Sequence, residues 1–176
     1  MRVIALVLLF LTGTAHAGVP AMYREVAREN KIPETIFYAL VLNESKSLVD
    51  KHGKKKVLPW PWTINHRGEP HFFPSKKDAI DFATALIESG DKLFDIGLAQ
   101  VNWYHHSHRF SSIESAFEPR INLMAAAGFL REQYERKECS TWELAVGCYH
   151  RPGQRPKDKA IAKKYSDKVI SLWVSI

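Results

Sequence analysis

Apolar residues recur at helical spacing through most of this chain, in segments opened and closed by helix signals, and that rhythm constrains its fold most. Pro33 stands at a first-turn position, where the N–H it lacks would have no helical partner anyway. Behind it Ile36, Leu40 and Glu44 fall on one helix face. Met22 to Asn30 reads as a short preceding helix. Ser75 offers an N-cap with Asp78 three residues on; Ala79, Ala83, Leu86 and Ile87 follow at helical spacing, and Gly90 ends the run. Another helix is expected from about Pro119 to Arg136, over Ile121, Met124, Ala127 and Leu130. Ser140 and Glu143 form a capping box for the next, Thr141 to about His150, and Ile161, Tyr165, Val169 and Leu172 mark a further amphipathic helix.

One stretch breaks the rhythm. From Leu58 to Phe73 tryptophan, proline and aromatic residues alternate around the turn sequence Asn65-His66-Arg67-Gly68, which predicts a small hairpin, and Lys51 to Lys56 before it reads as a basic loop. No repeat, low-complexity segment or long linker divides the chain. The expectation is a single, mainly α domain with a small β-hairpin element.

With 176 residues, 45% hydrophobic and 25% charged, the chain has enough apolar content for a real core, which excludes disorder, collagen and coiled coil. Residues 1–17 read as a signal peptide: Arg2, the apolar run Val3 to Leu11, and Ala15-His16-Ala17 as the cleavage site. Nine continuous apolar residues are too few for a bilayer that needs about 20, so stable membrane insertion is not expected. The mature chain, residues 18–176, is then an exported domain that stays basic without Arg2, since the formal charge of the whole is +6. A basic surface favours an anionic partner, and export favours a cell-wall polymer with free carboxylates over nucleic acid.

Cys139 and Cys148 sit around the start and inside of the helix that Ser140 and Glu143 cap. At about 1.5 Å per residue, nine helical residues would separate their Cα atoms by roughly 13 Å. A disulfide spans about 4.4–6.8 Å, so no bridge between the two is expected.

Three segments carry candidate chemistry. Glu44, in line with Ile36 and Leu40 at the end of an apolar helix, has a carboxyl whose charged form is disfavoured both by burial and by the negative end of the helix dipole. A carboxylic acid still protonated near neutral pH suits a general acid for a glycosidic oxygen. A surface glutamate at a frayed helix end is the plain alternative. In Asp95 to Trp103, Gly97 permits close backbone approach while Gln100 and Asn102 add amides that donate and accept to sugar hydroxyls, although such a segment is also an ordinary turn. Ala145 to Gly153 is a small-residue helix ending in Tyr149-His150 before a proline-glycine break. A hydroxyl at Tyr149 is placed to reach a neighbouring carboxyl or to be a satisfied core tyrosine.

In this order the three segments resemble the lytic transglycosylases of the soluble-lytic-transglycosylase type, which have a goose-lysozyme-like fold and cleave peptidoglycan. The family's Glu-Ser matches Glu44-Ser45, its Gly-Leu-Met-Gln matches Gly97-Leu98-Ala99-Gln100, and its Ala-Tyr-Asn matches Cys148-Tyr149-His150. Ala99 replaces the usual Met, which should loosen a packing contact, and His150 replaces the usual Asn, adding bulk and a titration near neutral pH. The resemblance covers about Ala21 to Trp173 and implies a lysozyme-like single domain with Glu44 catalytic. Ser45, Gln100, Asn102, Tyr149 and His150 would bind and position the substrate, peptidoglycan glycan strands, with no metal or other cofactor. Trp60, Trp62 and Trp103 are placed either to stack on sugar faces or to fill the core. The basic loop, the hairpin and the Tyr-His variant are similar to the small periplasmic members that accompany secretion, conjugation or pilus assembly machines, acting as monomers.

Two rival readings stay open. A lysozyme-like hydrolase needs a second carboxylate, roughly 6.5–9.5 Å from Glu44 for inversion, and Asp50 and Asp95 are the candidates. A wall-binding assembly factor would use the same groove without turnover. The cluster His105, His106 and His108 suggests a metal, but it has no partner Cys or acidic motif, and nucleic-acid binding by Lys51 to Lys56 conflicts with export.

Overall fold

The computed structural model describes residues 18–51 and 54–176; the expected leader lies outside the described residues. Helices α1 (Ala21–Glu29), α2 (Glu34–Ser45), α6 (Pro119–Glu135), α7 (Trp142–His150) and α8 (Pro156–Trp173) form one lobe, with short α4 (Trp103–His106) and α5 (Ile113–Ala116) and a longer α3 (Lys76–Glu88) outside it. The domain is mainly α, as expected, and no helix among the described residues is long and apolar enough to cross a membrane.

Helix α2 lies at the centre of the helical lobe. Ile36, Phe37, Tyr38, Ala39, Leu40 and Val41 are buried all round it, the pattern of a helix with neighbours on every side. Val26, Leu123, Leu130, Val146 and Val169 from the surrounding helices complete that core. Gly147 lets α7 approach α8 closely, because a Cβ there would stand 2.9 Å from the Ala162 carbonyl oxygen. The expected helices are present within a few residues of their sequence-derived ends, with Ser75 capping α3 through the Asp78 N–H. The cap of α7 is Thr141 rather than Ser140; its hydroxyl accepts from the Leu144 N–H.

The second lobe is an antiparallel sheet of β3 (Thr63–His66), β4 (Glu69–Phe72), β5 (Phe94–Ile96) and β6 (Val101–Asn102), in the order β4-β3-β5-β6. The predicted hairpin is β3 with β4, turning at Arg67 and Gly68. Ile64 pairs with Ile96, and both are covered by Ala79 and Ala83 of α3 and by Phe117. Trp62 and Trp103 pack against this second core, Trp103 stacked between Phe94 and Phe110, and the Trp60 indole N–H donates to the Phe73 carbonyl at 2.8 Å.

Two expectations are corrected here. The segment Lys51 to Lys56 is not a loop: Lys46–Lys51 (β1) and Lys54–Pro59 (β2) form an antiparallel ribbon, with Leu48 opposite Val57. The lysine run hid the alternation, since long cationic side chains are well suited to the solvated edge of a strand. Cys139 and Cys148 form a disulfide with Cα atoms 6.4 Å apart. The 13 Å figure assumed a straight helical path, but the 3-10 turn Lys137–Cys139 precedes α7 and folds back beside it, carrying Cys139 against the later turns.

Candidate active site

The turn Gly97 to Gln100 joins the two lobes, and nearly every peptide group in it is held from a different element. Ser45 donates its hydroxyl to the Leu98 carbonyl at 2.6 Å, and Tyr149 donates to the Ala99 carbonyl at 2.8 Å. The Asn122 side-chain oxygen accepts from the Ala99 N–H at 2.9 Å, while its amide donates to the carbonyls of Ile96 and Ala116. Gly97 has φ +77, and a Cβ on it would lie 2.4 Å from the Asn122 amide nitrogen, so both its backbone angle and its neighbour require glycine. Gln100 is also left-handed, at φ +46. Its amide donates to the carbonyls of Gly97 at 2.9 Å and Thr63 at 3.2 Å, which leaves the side-chain oxygen free of protein partners among the described residues.

Glu44 emerges half-buried from the end of α2 at the floor of a cleft with two arms. The first arm, about 1030 Å³, is lined by Asp95, Gln100, Asn102, His106, Tyr149 and others. The second, about 1170 Å³, is lined by Lys46, Lys164, Tyr165 and Lys168 among others. Glu44 and His150 line both. The Tyr165 hydroxyl donates to Glu44 Oε1, and the His150 ring stacks on Tyr165, centroids 4.4 Å apart and planes within 2°.

Loss of hydration raises the Glu44 carboxyl to about 8; the Tyr165 hydrogen bond opposes this and the Asp95 charge adds to it. Burial is also the first cause of the raised Tyr149 and Tyr165 hydroxyls and of the lowered His150, which Arg151 and Lys168 lower further. Asp95 is likewise raised by burial, while Asn102, donating to it at 2.8 Å, opposes the rise. The rim beyond His150 is fixed by Asp158, only 2% exposed, which accepts from Arg151 at 2.8 Å and Arg155 at 2.7 Å.

Glu44, Gln100, Asn102, Tyr149 and His150 thus converge on one cleft, with Asn102 also capping α4 through the His105 N–H. Ser45 does not line it: its hydroxyl is buried on the Leu98 carbonyl, so it holds the turn instead of touching a ligand. Tyr149 reaches a backbone carbonyl, and the tyrosine on the carboxyl is Tyr165, which sequence reasoning had placed only on a core stripe. Asn122 was missed as well; a lone amide inside the small apolar run of α6 was its only signal. Ala99, in place of Met, is fully buried. None of Trp60, Trp62 or Trp103 lines either arm. Asp95 lines the first arm, while the Asp50 side chain lies outside the described residues. Among the described residues no three His, Cys, Asp or Glu side chains gather to hold a metal ion.

Residues 21–172 match the family model of the transglycosylase SLT domain. The chain belongs to that family. No match among curated proteins or solved structures reaches significance. As a transglycosylase SLT domain, the chain falls among lytic transglycosylases that act on peptidoglycan, and the match spans both the α2 glutamate and the α8 tyrosine that meets it.

Proposed function

We propose that the protein cleaves the β-1,4 bond between N-acetylmuramic acid and N-acetylglucosamine, with Glu44 as acid and then base, leaving 1,6-anhydromuramic ends. The carrying observation is a half-buried carboxyl held to about 8 at the floor of an open cleft, hydrogen-bonded by Tyr165. At neutral pH Glu44 holds its proton and gives it to the glycosidic oxygen as the C1–O4 bond breaks, so the departing N-acetylglucosamine regains its 4-hydroxyl. The resulting carboxylate takes the proton of the muramic C6 hydroxyl as O6 closes on C1. Glu44 ends protonated and no water is consumed. Tyr165 orients the acid and supports its anionic form; Gln100 offers a carbonyl oxygen to the sugar, and Tyr149 fixes the turn that carries Gln100.

The leader-like residues 1–17 support export to the periplasm, where the protein would make local openings for a secretion, conjugation or pilus machine. Asp95 supports a second reading: a carboxyl in the same cleft is the partner a lysozyme-like hydrolase needs. Mass spectrometry of fragments released from purified peptidoglycan separates the two. Anhydro ends that disappear in Glu44→Gln support the transglycosylase; reducing ends that disappear in Asp95→Asn support the hydrolase; no release by the intact protein leaves a wall-binding role. Loss of secretion, conjugation or pilus assembly on gene deletion tests the machine, and cell fractionation tests the compartment.

A further inference from the structure

The excess positive charge of the chain has a local address in the cleft. In the second arm Lys164 and Lys168 stand one helical turn apart on α8, flanking Tyr165, and Lys46 faces them from the residue after α2. All three are exposed, and none has a carboxylate partner among the described residues. The one aspartate lining this arm, Asp167, is occupied: both of its oxygens accept from Lys163 at 2.8 Å. Glu44 itself, with its proton retained up to about 8, does not cancel the field near neutral pH. The first arm is different, because its two arginines are both committed to Asp158 and its other polar groups, apart from the shared Glu44, are amides, histidines, Tyr149 and Asp95. One arm thus offers hydrogen bonds to neutral sugar, the other uncommitted ammonium groups.

We infer that the second arm is a carboxylate-binding subsite in which Lys46, Lys164 and Lys168 take the anionic group hung from the 3-oxygen of a muramic unit next to the cleaved bond. This rests on the peptidoglycan reading above and deepens it, since it makes the enzyme select carboxylate-bearing glycan over uncharged glycan of equal length. Lysines suit the task as mobile point charges able to follow a flexible substituent. The carboxylate has two sources: the lactyl group of a muramic unit stripped of its peptide, or the carboxylates of an attached peptide stem.

The test is binding to the full chain carrying Glu44→Gln, which prevents turnover, at low and at physiological salt. Three ligands are compared: a tetrasaccharide of alternating N-acetylglucosamine and N-acetylmuramic acid with free lactyl groups, the same tetrasaccharide with peptide stems, and tetra-N-acetylglucosamine. At least one carboxylate-bearing ligand is expected to bind about fivefold or more tighter than the uncharged one at low salt. The preference should shrink as salt rises. Lys164→Gln with Lys168→Gln should reduce it by roughly two- to fivefold per lysine, the range of an exposed ion pair, and Arg at both positions should restore it. Full preference for the stripped tetrasaccharide identifies the lactyl group; preference for the stem-bearing form alone identifies the peptide. Equal affinity for all three ligands, or a preference untouched by the double Gln variant, overturns the subsite. Failure of the peptidoglycan reading has a different signature, the absence of fragments from the unmutated protein, and leaves these affinities to be read independently.

Discussion

Tyr165, midway along α8, donates its hydroxyl to the carboxyl of Glu44, 121 residues away at the end of α2. A bond of that kind favours the carboxylate, while the surrounding loss of water favours the acid, and the acid prevails. On the proposed function, the activity of the site and its behaviour with pH both depend on this opposition.

The rate should therefore fall as pH rises through about 8, where Glu44 gives up its proton, in a profile of peptidoglycan cleavage. Stability follows with a definite sign. Between about 4.5 and 8 the folded chain keeps a proton that the unfolded chain has lost, so this group's contribution is greatest below 4.5 and declines as pH rises through 8. Glu44→Gln removes that decline. Its melting temperature should exceed that of the unmutated protein at pH 9 by at least about 2–4 °C, the shift that about 1 kcal/mol gives at this size. An equal or lower value at pH 9 would show that the carboxyl is not held protonated.

Tyr165→Phe leaves the ring and removes the donor. A hydrogen bond to a charged group contributes about 1.5–3 kcal/mol, so kcat should fall roughly tenfold to a hundredfold. Because the bond had favoured the carboxylate, the alkaline limb of the pH profile should move upward. A limb that moves down would assign the opposite role to the hydroxyl.

His150 is expected to act through Tyr165. Aromatic stacking contributes about 0.5–1.5 kcal/mol, so His150→Ala should lower kcat about two- to tenfold with a smaller change in KM, and His150→Phe, which can stack, should recover most of the loss. A change confined to KM would instead make His150 a ligand contact.

The disulfide closes a short loop, with Cys139 and Cys148 nine residues apart. Restricting the unfolded chain by a loop of that length stabilises the fold by about 2.5–3 kcal/mol. Cys139→Ser with Cys148→Ser, or treatment with reductant, should lower the melting temperature by roughly 5–10 °C. No shift on reduction would mean that the bond is not formed in solution.

Asn122→Ala should destabilise by about 2–4 kcal/mol in urea unfolding, since it strands the Ala99 N–H and two carbonyls away from water. Gly97→Ala should be no milder, because the added methyl displaces the same amide. A tolerated Gly97→Ala would show that the turn can open without cost.

Much of this arrangement was legible before any coordinates. The α2 pattern predicts the surroundings of Glu44 because a helix apolar on all sides leaves the polar side chains of its last turn, Asn43 and Glu44, at the exit, and short-range capping placed α3 to within a residue. What stayed hidden was whatever depends on how the chain turns back on itself in space. Tyr165 looked like any tyrosine on a core stripe, Ser45 looked like a ligand contact through its position beside Glu44, and the disulfide was dismissed because spacing along a helix says nothing of a chain that doubles back. The lysine-rich ribbon was lost to its own charge, which masks strand periodicity.

That ribbon begins where α2 stops. Ser45 is the last residue of α2 and Lys46 the first of β1, and the Trp60 N–H, just beyond β2, bonds back to the Ser45 carbonyl at 2.9 Å. Its outer face presents Leu48, 70% exposed, opposite Val57, 51% exposed. With no connecting residue between Ser45 and Lys46, ribbon and helix share a single joint, and the residue at that joint is the direct neighbour of Glu44.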